Sequence, residues 1–398
     1  MTVDGQYGVV ARIGTTQTLG WASTYYLPAL LAAPLASDLG LPITHVFGAF
    51  TLALVVSALV GPRAGRALDD WGGRNVLSAT SVLFAAGLAA LGMAQTEWQM
   101  WAAWALIGVG MGSGLYDAAF AAVVRLYPVS ARTAITGITL VAGFASTVGW
   151  PLTAWWIESL GWRGTCFGWA GLHLLLGLPL HLSLPKAALQ ATRPVLQAVV
   201  ESPAPQASRV TPRWMMGALA SVFAITWFTS TAMAAHLPML LQMQGLTASA
   251  ALGIAMLVGP AQVIARMLEF GLLRHVHPLY TSRLAAAAHP LGVLAIAVFG
   301  PAAAWLFVSL HGAGNGVLTI AKGTLPLVVF GPAGYGERQG WLMVPARFAQ
   351  AAAPALFGLA ITHWGGAALW LTAGLGLATV FILQGMAASW QLRAVRHV

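Results

Sequence analysis

The sequence predicts an all-α membrane protein, with twelve transmembrane helices arranged as two six-helix bundles. Three observations predict it. Of the 398 residues, 58% are hydrophobic and only 7% are charged, whereas soluble domains carry about 25% charged residues to cover their surface. The apolar residues form long continuous runs, not the segments of about ten residues with alternating polarity that mark a transmembrane barrel. The basic residues collect beside alternate gaps between these runs, as the positive-inside rule requires. A water-soluble fold and a disordered chain are both excluded, the second because disordered chains are polar and charged.

The apolar runs fall at about residues 11–36, 43–62, 76–94, 99–124, 134–157, 164–184, 214–241, 247–273, 280–299, 302–326, 338–362 and 366–390. Each supplies the roughly 20 residues that cross about 30 Å of hydrocarbon. The gaps are short except for 185–213, a polar stretch with several prolines and bases that reads as a cytoplasmic linker. It divides the chain into an N-terminal bundle, 1–184, and a C-terminal bundle, 214–398. Equal halves around one long linker are the pattern of a transporter built from repeats.

Charge supports the count of twelve. With both termini cytoplasmic, fourteen Lys and Arg between Arg63 and Arg396 lie at the inner side and Arg163 alone lies at the outer side. An odd number of spans would scramble that asymmetry. The expected location is the plasma (inner) membrane. The N-terminus lacks a basic region, short apolar core and cleavage site, so the first helix is expected to be retained. The net charge of +9 is not organised as a basic stripe with interleaved aromatics, so nucleic acid is not an expected partner. Cys166 is the sole cysteine, which excludes an intrachain disulfide and a cysteine metal site.

The loop after the second span reads Gly65-Arg-Ala-Leu-Asp69-Asp70-Trp-Gly72-Gly73-Arg74. It resembles the signature loop of the major facilitator superfamily. The resemblance implies a conformational gate of Gly65, Asp69, Gly72 and Arg74, a tight turn whose acid and base pair in one state and release in another. Asp70 and Gly73 stand where the family usually has bases. The fourth span carries Gly108, Gly110, Gly112 and Gly114, and Trp104 stands where the family often places an arginine. The fifth carries Gly137, Gly143, Gly149 and Pro151. This resembles a relaxed antiporter motif, and close helix packing accounts for it equally. Span one, with Leu19-Gly20-Trp21, Tyr25 and Tyr26, and an arginine in span eight are similar to the monocarboxylate and oxalate–formate branch.

Charges within the spans are the main chemical signal, since each costs about 2.5–3.5 kcal/mol at the bilayer centre. Arg266 and Glu269 lie three apart on one helix face. They read either as a self-neutralised pair or as a substrate cation with a proton-accepting neighbour. An arginine fork suits a carboxylate, and the family resemblance implies that role for Arg266. Arg347 is either a second substrate contact or a snorkelling base, and Lys322, near the end of its span, reads as snorkelling. Asp117 is a proton carrier or the partner of Arg125 or Lys322. The surplus of bases over acids favours an anion.

Of the span histidines, His311, four residues before Asn315, is the strongest candidate for proton relay. His173, His181, His236 and His289 read as hydrogen-bonded structural residues. Trp21, Tyr25 and Trp227 are candidate cavity walls. No P-loop, catalytic triad or carboxylate pair occurs, so neither an ATP-driven pump nor an enzyme is expected.

The reading is a monomeric secondary transporter in the lipid bilayer. It moves a small, monocarboxylate-like organic anion by alternating access, with protons as coupling ion. Substrate binding is assigned to Arg266, Arg347, Trp21, Tyr25, Trp227 and Asn315, and proton coupling to Glu269, Asp117 and His311. No metal or cofactor is expected. The alternative is proton-antiport efflux of a drug-like or toxic molecule, which depends less on Arg266. A receptor is disfavoured by the short tails.

Overall fold

The computed structural model describes residues 3–186, 213–273 and 275–395. The expected linker lies almost wholly outside these residues, as do Arg193, Arg209, Arg274 and Arg396. Every regular element among the described residues is helical. Eight helical stretches there are long and apolar enough to cross a membrane. Three of them run for 52, 53 and 55 residues, which at 1.5 Å per residue is about 80 Å each, far beyond one bilayer. Each contains a glycine in the left-handed region: Gly161 (φ 72°), Gly300 (φ 66°) and Gly365 (φ 55°). A side chain there would be strained, so these glycines are where the chain can turn.

The chain divides into two compact units, one of Met1–Thr211 with Val329–Val344, the other of Pro212–Val328 with Pro345–Val398. The first begins with α1 (Val3–Ser23) and α2 (Pro28–Asp38). The break between them holds Tyr25 and Tyr26, and α2 restarts with Pro28 at its first turn, where a missing N–H loses no helical bond. Next come α3 (Ile43–Trp71) and α4 (Gly73–Met93), joined at Gly72, whose φ of 84° requires glycine. A capping box of Thr96 and Gln99 starts α5 (Glu97–Gly114). Leu115 is extended and interrupts the fourth span, so Asp117 lies in the first turn of a new helix, α6 (Tyr116–Leu126). The fifth span is also divided, into α7 (Ala131–Ala142) and the start of α8 (Ala145–Leu172). A single π-turn at His173–Gly177 leads to α9 (Leu178–Leu182).

The second unit contains α10 (Arg213–Met243), α11 (Ala248–Ala255), α12 (Val258–Gly271), α13 (Pro278–Phe299) and α14 (Ala304–Phe330). It ends with α15 (Tyr335–Trp364) and α16 (Leu369–Val395). The first turns of α15 group with the first unit and the remainder with the second. Met233, Leu237, Leu240, Phe307 and Phe357 form part of a buried apolar cluster in the second unit. Trp104, Trp169, Phe120 and Ile13 are fully buried in the first.

Glycines let the helices approach closely. A β-carbon at Gly108 or Gly112 of α5 would stand 2.6 or 2.7 Å from the carbonyl oxygen of Ala53 or Ser57 on α3. The glycines of spans one and five serve the same end: a β-carbon at Gly14 would meet Val141 at 2.7 Å, at Gly137 Val10 at 2.8 Å, and at Gly149 Ala22 at 2.5 Å. Packing therefore accounts for the span-five pattern. Outward, the units present large apolar side chains, with Leu175 81% and Phe381 71% exposed. Lipid suits such a surface and water does not.

Candidate functional site

The signature loop is built against the first turns of α15. Gly61 and Gly65 of α3 face Gly340 and Gly336, and a β-carbon at Gly65 would fall 2.0 Å from the carbonyl oxygen of Gly336. That approach brings the Asp69 carboxylate onto the free N–H groups at the start of α15, accepting from Gly336 at 3.0 Å and Glu337 at 2.9 Å. A carboxylate is favoured there by the unpaired N–H groups and the helix dipole. Arg66 pairs with Glu337, and Gln339 donates to Asp117 at 3.3 Å. Arg125 donates to the carbonyls of Leu68 and Asp70, which ties α6 to the end of α3. The sequence reading had Asp69 and Arg74 as the pairing acid and base. Asp69 instead takes backbone donors, and half-buried Arg74 makes no hydrogen bond or ion pair among the described residues.

Aromatic rings line the interior of the first unit. Trp21 lies 5.3 Å from Tyr25 and 4.9 Å from Tyr116, Tyr25 lies 5.8 Å from Phe50, and Phe50 lies 5.5 Å from Trp104. The chain of rings joins spans one, two and four. Trp104 is fully buried, and its indole N–H has no partner among the described residues. His173 bonds Ser23, and His181 bonds both Ser81 and Thr16, each at 2.8 Å. These two are hydrogen-bonded within the core, as expected.

The second unit holds the buried charge. Arg266 and Glu269 of α12 are 5% and 3% exposed. The Arg266 guanidinium donates to the Gly316 carbonyl at 3.4 Å and to Gln262 Oε1 at 3.3 Å. Arg347, 2% exposed, donates to Gln350 Oε1 at 3.1 Å, and its Cζ stands 5.2 Å from the Trp227 ring centre. Lys322 places its Nζ 3.8 Å from the same ring centre. It does not snorkel: α14 continues two turns beyond it to Phe330, and the side chain is buried. Two cations and a tryptophan, from α14, α15 and α10, therefore converge in one place. The Nε2 amide of fully buried Gln350 has no partner among the described residues.

Asn315 and His311 line a cavity of about 40 Å³ inside the second unit, enough for two or three waters at roughly 10–15 Å³ each and too small for an organic substrate.

A family model for the Major Facilitator Superfamily matches residues 14–332. The chain belongs to this superfamily. Solved members share its fold. The proton:xylose symporter XylE, bound to 6-bromo-6-deoxy-D-glucose, is 13% identical, with a TM-score of 0.77 and coverage of 97% of this chain and 96% of that one. The human organic anion transporter MFSD10 (TETRAN) is 18% identical, with a TM-score of 0.72 and coverage of 96% and 100%. FucP in the outward conformation is 15% identical, with a TM-score of 0.72 and coverage of 94% and 97%. At these identities the likeness shows the fold alone. No curated protein matches the sequence.

Membership of the superfamily makes the chain a multi-pass integral membrane protein, a secondary transporter of small molecules and not an enzyme. Sequence reasoning missed Lys322, Gln350 and His289 as neighbours of the candidate site. Gln350 carried a signal, a polar residue three after Arg347 in an otherwise apolar run. Lys322 reads as snorkelling in sequence because its apolar run ends at 326, whereas α14 continues to Phe330.

Proposed function

We propose that this superfamily member moves a small, monocarboxylate-like organic anion by alternating access, coupled to protons. The observation that carries the proposal is the convergence of Lys322 and Arg347 on Trp227 within the second unit. Two positive charges drawn to one buried ring raise a local potential that an anion lowers. A carboxylate would accept from the Arg347 fork, from Lys322 and from the Gln350 amide, whose Oε1 is already turned to Arg347. Trp227 borders the substrate, and Asn315, which lines the water-sized cavity, is left out of the substrate contacts. Arg266, the anchor favoured by the sequence, is a secondary contact here, because Gln262 and Gly316 already hold its guanidinium. Glu269, Asp117 and His311 remain the proton-coupling residues. Gly65, Asp69, Gly72 and Arg74 remain the gate, with the start of α15 as the partner that Asp69 releases.

The fold accommodates both halves of this reading, since an organic anion transporter and a proton:xylose symporter share it. The efflux alternative loses Gly137 and Gly149 of span five, which pack against α1. Twelve crossings follow if each of the three long stretches turns at its glycine and α1 with α2 forms one span. The bundles are then 1–184 and 214–398 around the linker 185–213. We further propose a monomer in the plasma (inner) membrane with both termini cytoplasmic.

The test is exchange of radiolabelled mono- and dicarboxylates, with cationic drugs as controls, in proteoliposomes with and without a pH gradient. Carboxylate exchange is expected in the wild type, reduced about tenfold in Arg347→Gln and Lys322→Met, and reduced less in Arg266→Gln. Drug transport that survives all three variants, with no carboxylate exchange, overturns the anion reading.

A further inference from the structure

His289 and His311 meet in the interior of the second unit, where no other titratable side chain lines the cavity among the described residues. Their Nδ1 atoms are 3.0 Å apart, and His289 Nε2 is 2.9 Å from Thr372 Oγ1. Thr372 Oγ1 in turn donates to the Leu369 carbonyl at 2.8 Å. Phe307 packs beside both rings. The other elements around the pair bring neutral polar groups: Thr226, Thr229 and Ser230 from α10, Thr379 from α16 and Asn315 from α14.

The hydrogen bonds choose a tautomer. An Nδ1–Nδ1 contact needs one ring N–H and one lone pair. If Thr372 donates to Leu369, its oxygen accepts from His289 Nε2–H. His289 Nδ1 is then a lone pair and accepts from His311 Nδ1–H. This arrangement makes all three bonds at once, whereas the reverse one takes the Thr372 hydroxyl hydrogen away from Leu369. His311 Nε2 is thereby left as a lone pair, and it has no partner among the described residues. The buried Thr229 hydroxyl is also without a partner among them. A cavity of about 40 Å³ lies between, which fits the size and polar lining that an ordered water needs.

We propose that the His289–His311 pair is a one-proton site that fills through this cavity. The proton arrives as hydronium, binds His311 Nε2 and leaves a water behind. His311 becomes an imidazolium, its Nδ1–H still donating to His289, so no other hydrogen bond changes. His289 and Thr372 act as positioning residues that keep the accepting nitrogen turned to the cavity. The pair takes one proton, because the second ring's free lone pair is already used in the bond between them. This rests on the proton-coupled reading above and names the partner and the route for His311.

The test uses the full chain in liposomes with ¹⁵N-labelled histidine, followed by solid-state NMR from about pH 8 down to about pH 4, where histidine charges. The expected result is a scalar coupling between the two Nδ1 atoms and a change of His311 Nε2 from bare to protonated as pH falls, with His289 keeping its tautomer. In Thr372→Val the midpoint of that change is expected to shift, because the His289 tautomer is no longer held. Two independently titrating rings, or a His311 Nε2 unchanged over the whole range, overturns the proposal. Lactate-driven proton uptake, read with an entrapped pH dye, separates the two readings. Its absence with His311 still protonating sinks proton-coupled carboxylate transport and leaves the pair standing. Its presence, undiminished in His311→Gln, overturns the pair as the coupling site while the transport reading stands.

Discussion

The two units use the same packing device for different chemistry. In the first, Gly108 and Gly112 bring α5 against the backbone of α3 at Ala53 and Ser57, while Gly110 faces Phe84 of α4. In the second, Gly312 and Gly316 bring α14 against α12, where a β-carbon would stand 2.8 Å from the Val258 carbonyl and 2.6 Å from that of Gln262, while Gly314 faces Ala285 of α13. The spacing and the partners repeat. The residues between them do not. Ile107 and Met111 precede the first unit's two contact glycines and are buried. His311 and Asn315 precede the second unit's and border the polar cavity. Close backbone approach depends only on the absence of side chains at every fourth position, so the intervening positions are free to carry either a dry core or polar groups. The repeat is thus a scaffold, and at the two positions that precede its contact glycines only the second copy carries polar groups.

The comparison can be broken most strongly at the glycines. Gly112→Val and Gly316→Val each force side-chain atoms into a backbone carbonyl, and both should cost about 3 kcal/mol or more. Thermal unfolding of the purified protein in detergent should show comparable losses. A large loss in one and none in the other would end the equivalence. Next, Ile107→His puts a polar group into the dry copy and should cost about 1–3 kcal/mol. The double change His289→Leu with His311→Ile, which removes both partners of a buried bond, should be nearly neutral by the same measurement.

Function should divide the units as well. Arg347→Gln is expected to weaken carboxylate binding about tenfold, the loss of roughly 1.4 kcal/mol from one charge-assisted contact. Trp104→Phe, which deletes an indole N–H with no partner among the described residues, should leave binding within about twofold. Isothermal titration of lactate into each variant checks both. A modest loss of stability is expected at Asp69→Asn. The amide oxygen still accepts one of the two N–H groups, but the amide NH2 cannot accept the other, so one hydrogen bond is lost with the charge–dipole part, together about 1–2 kcal/mol. A modest fall in melting temperature is the expected readout, and a collapse comparable to that of Gly316→Val would show that Asp69 bears more than a helix end.

Much of the fold was legible because hydropathy is a local property. Span limits set by apolar runs agree with most helix ends to within a few residues. The disagreements arise where local composition misleads. α15 starts at Tyr335, although Glu337 and Arg338 made its first turn look like loop. α3 runs on to Trp71 past two bases and two acids because that end packs on other helices. The breaks inside spans one, four, five and eight carried no reliable mark. Leu115 is extended with no glycine or proline of its own, between Gly114 and the Tyr116–Phe120 stack.

By itself the sequence determined that this is a helical membrane protein, where its apolar runs lie, and that a few charges stand in apolar surroundings, because each follows from composition along the chain. Which of those charges meet was decided only by the tertiary structure. Lys322 and Arg347 are 25 positions apart and converge on Trp227, nearly a hundred residues upstream. His289 finds His311 across two helices, and Asp69 finds a helix end rather than Arg74. Partnership is a matter of distance in space, and a sequence records only distance along the chain.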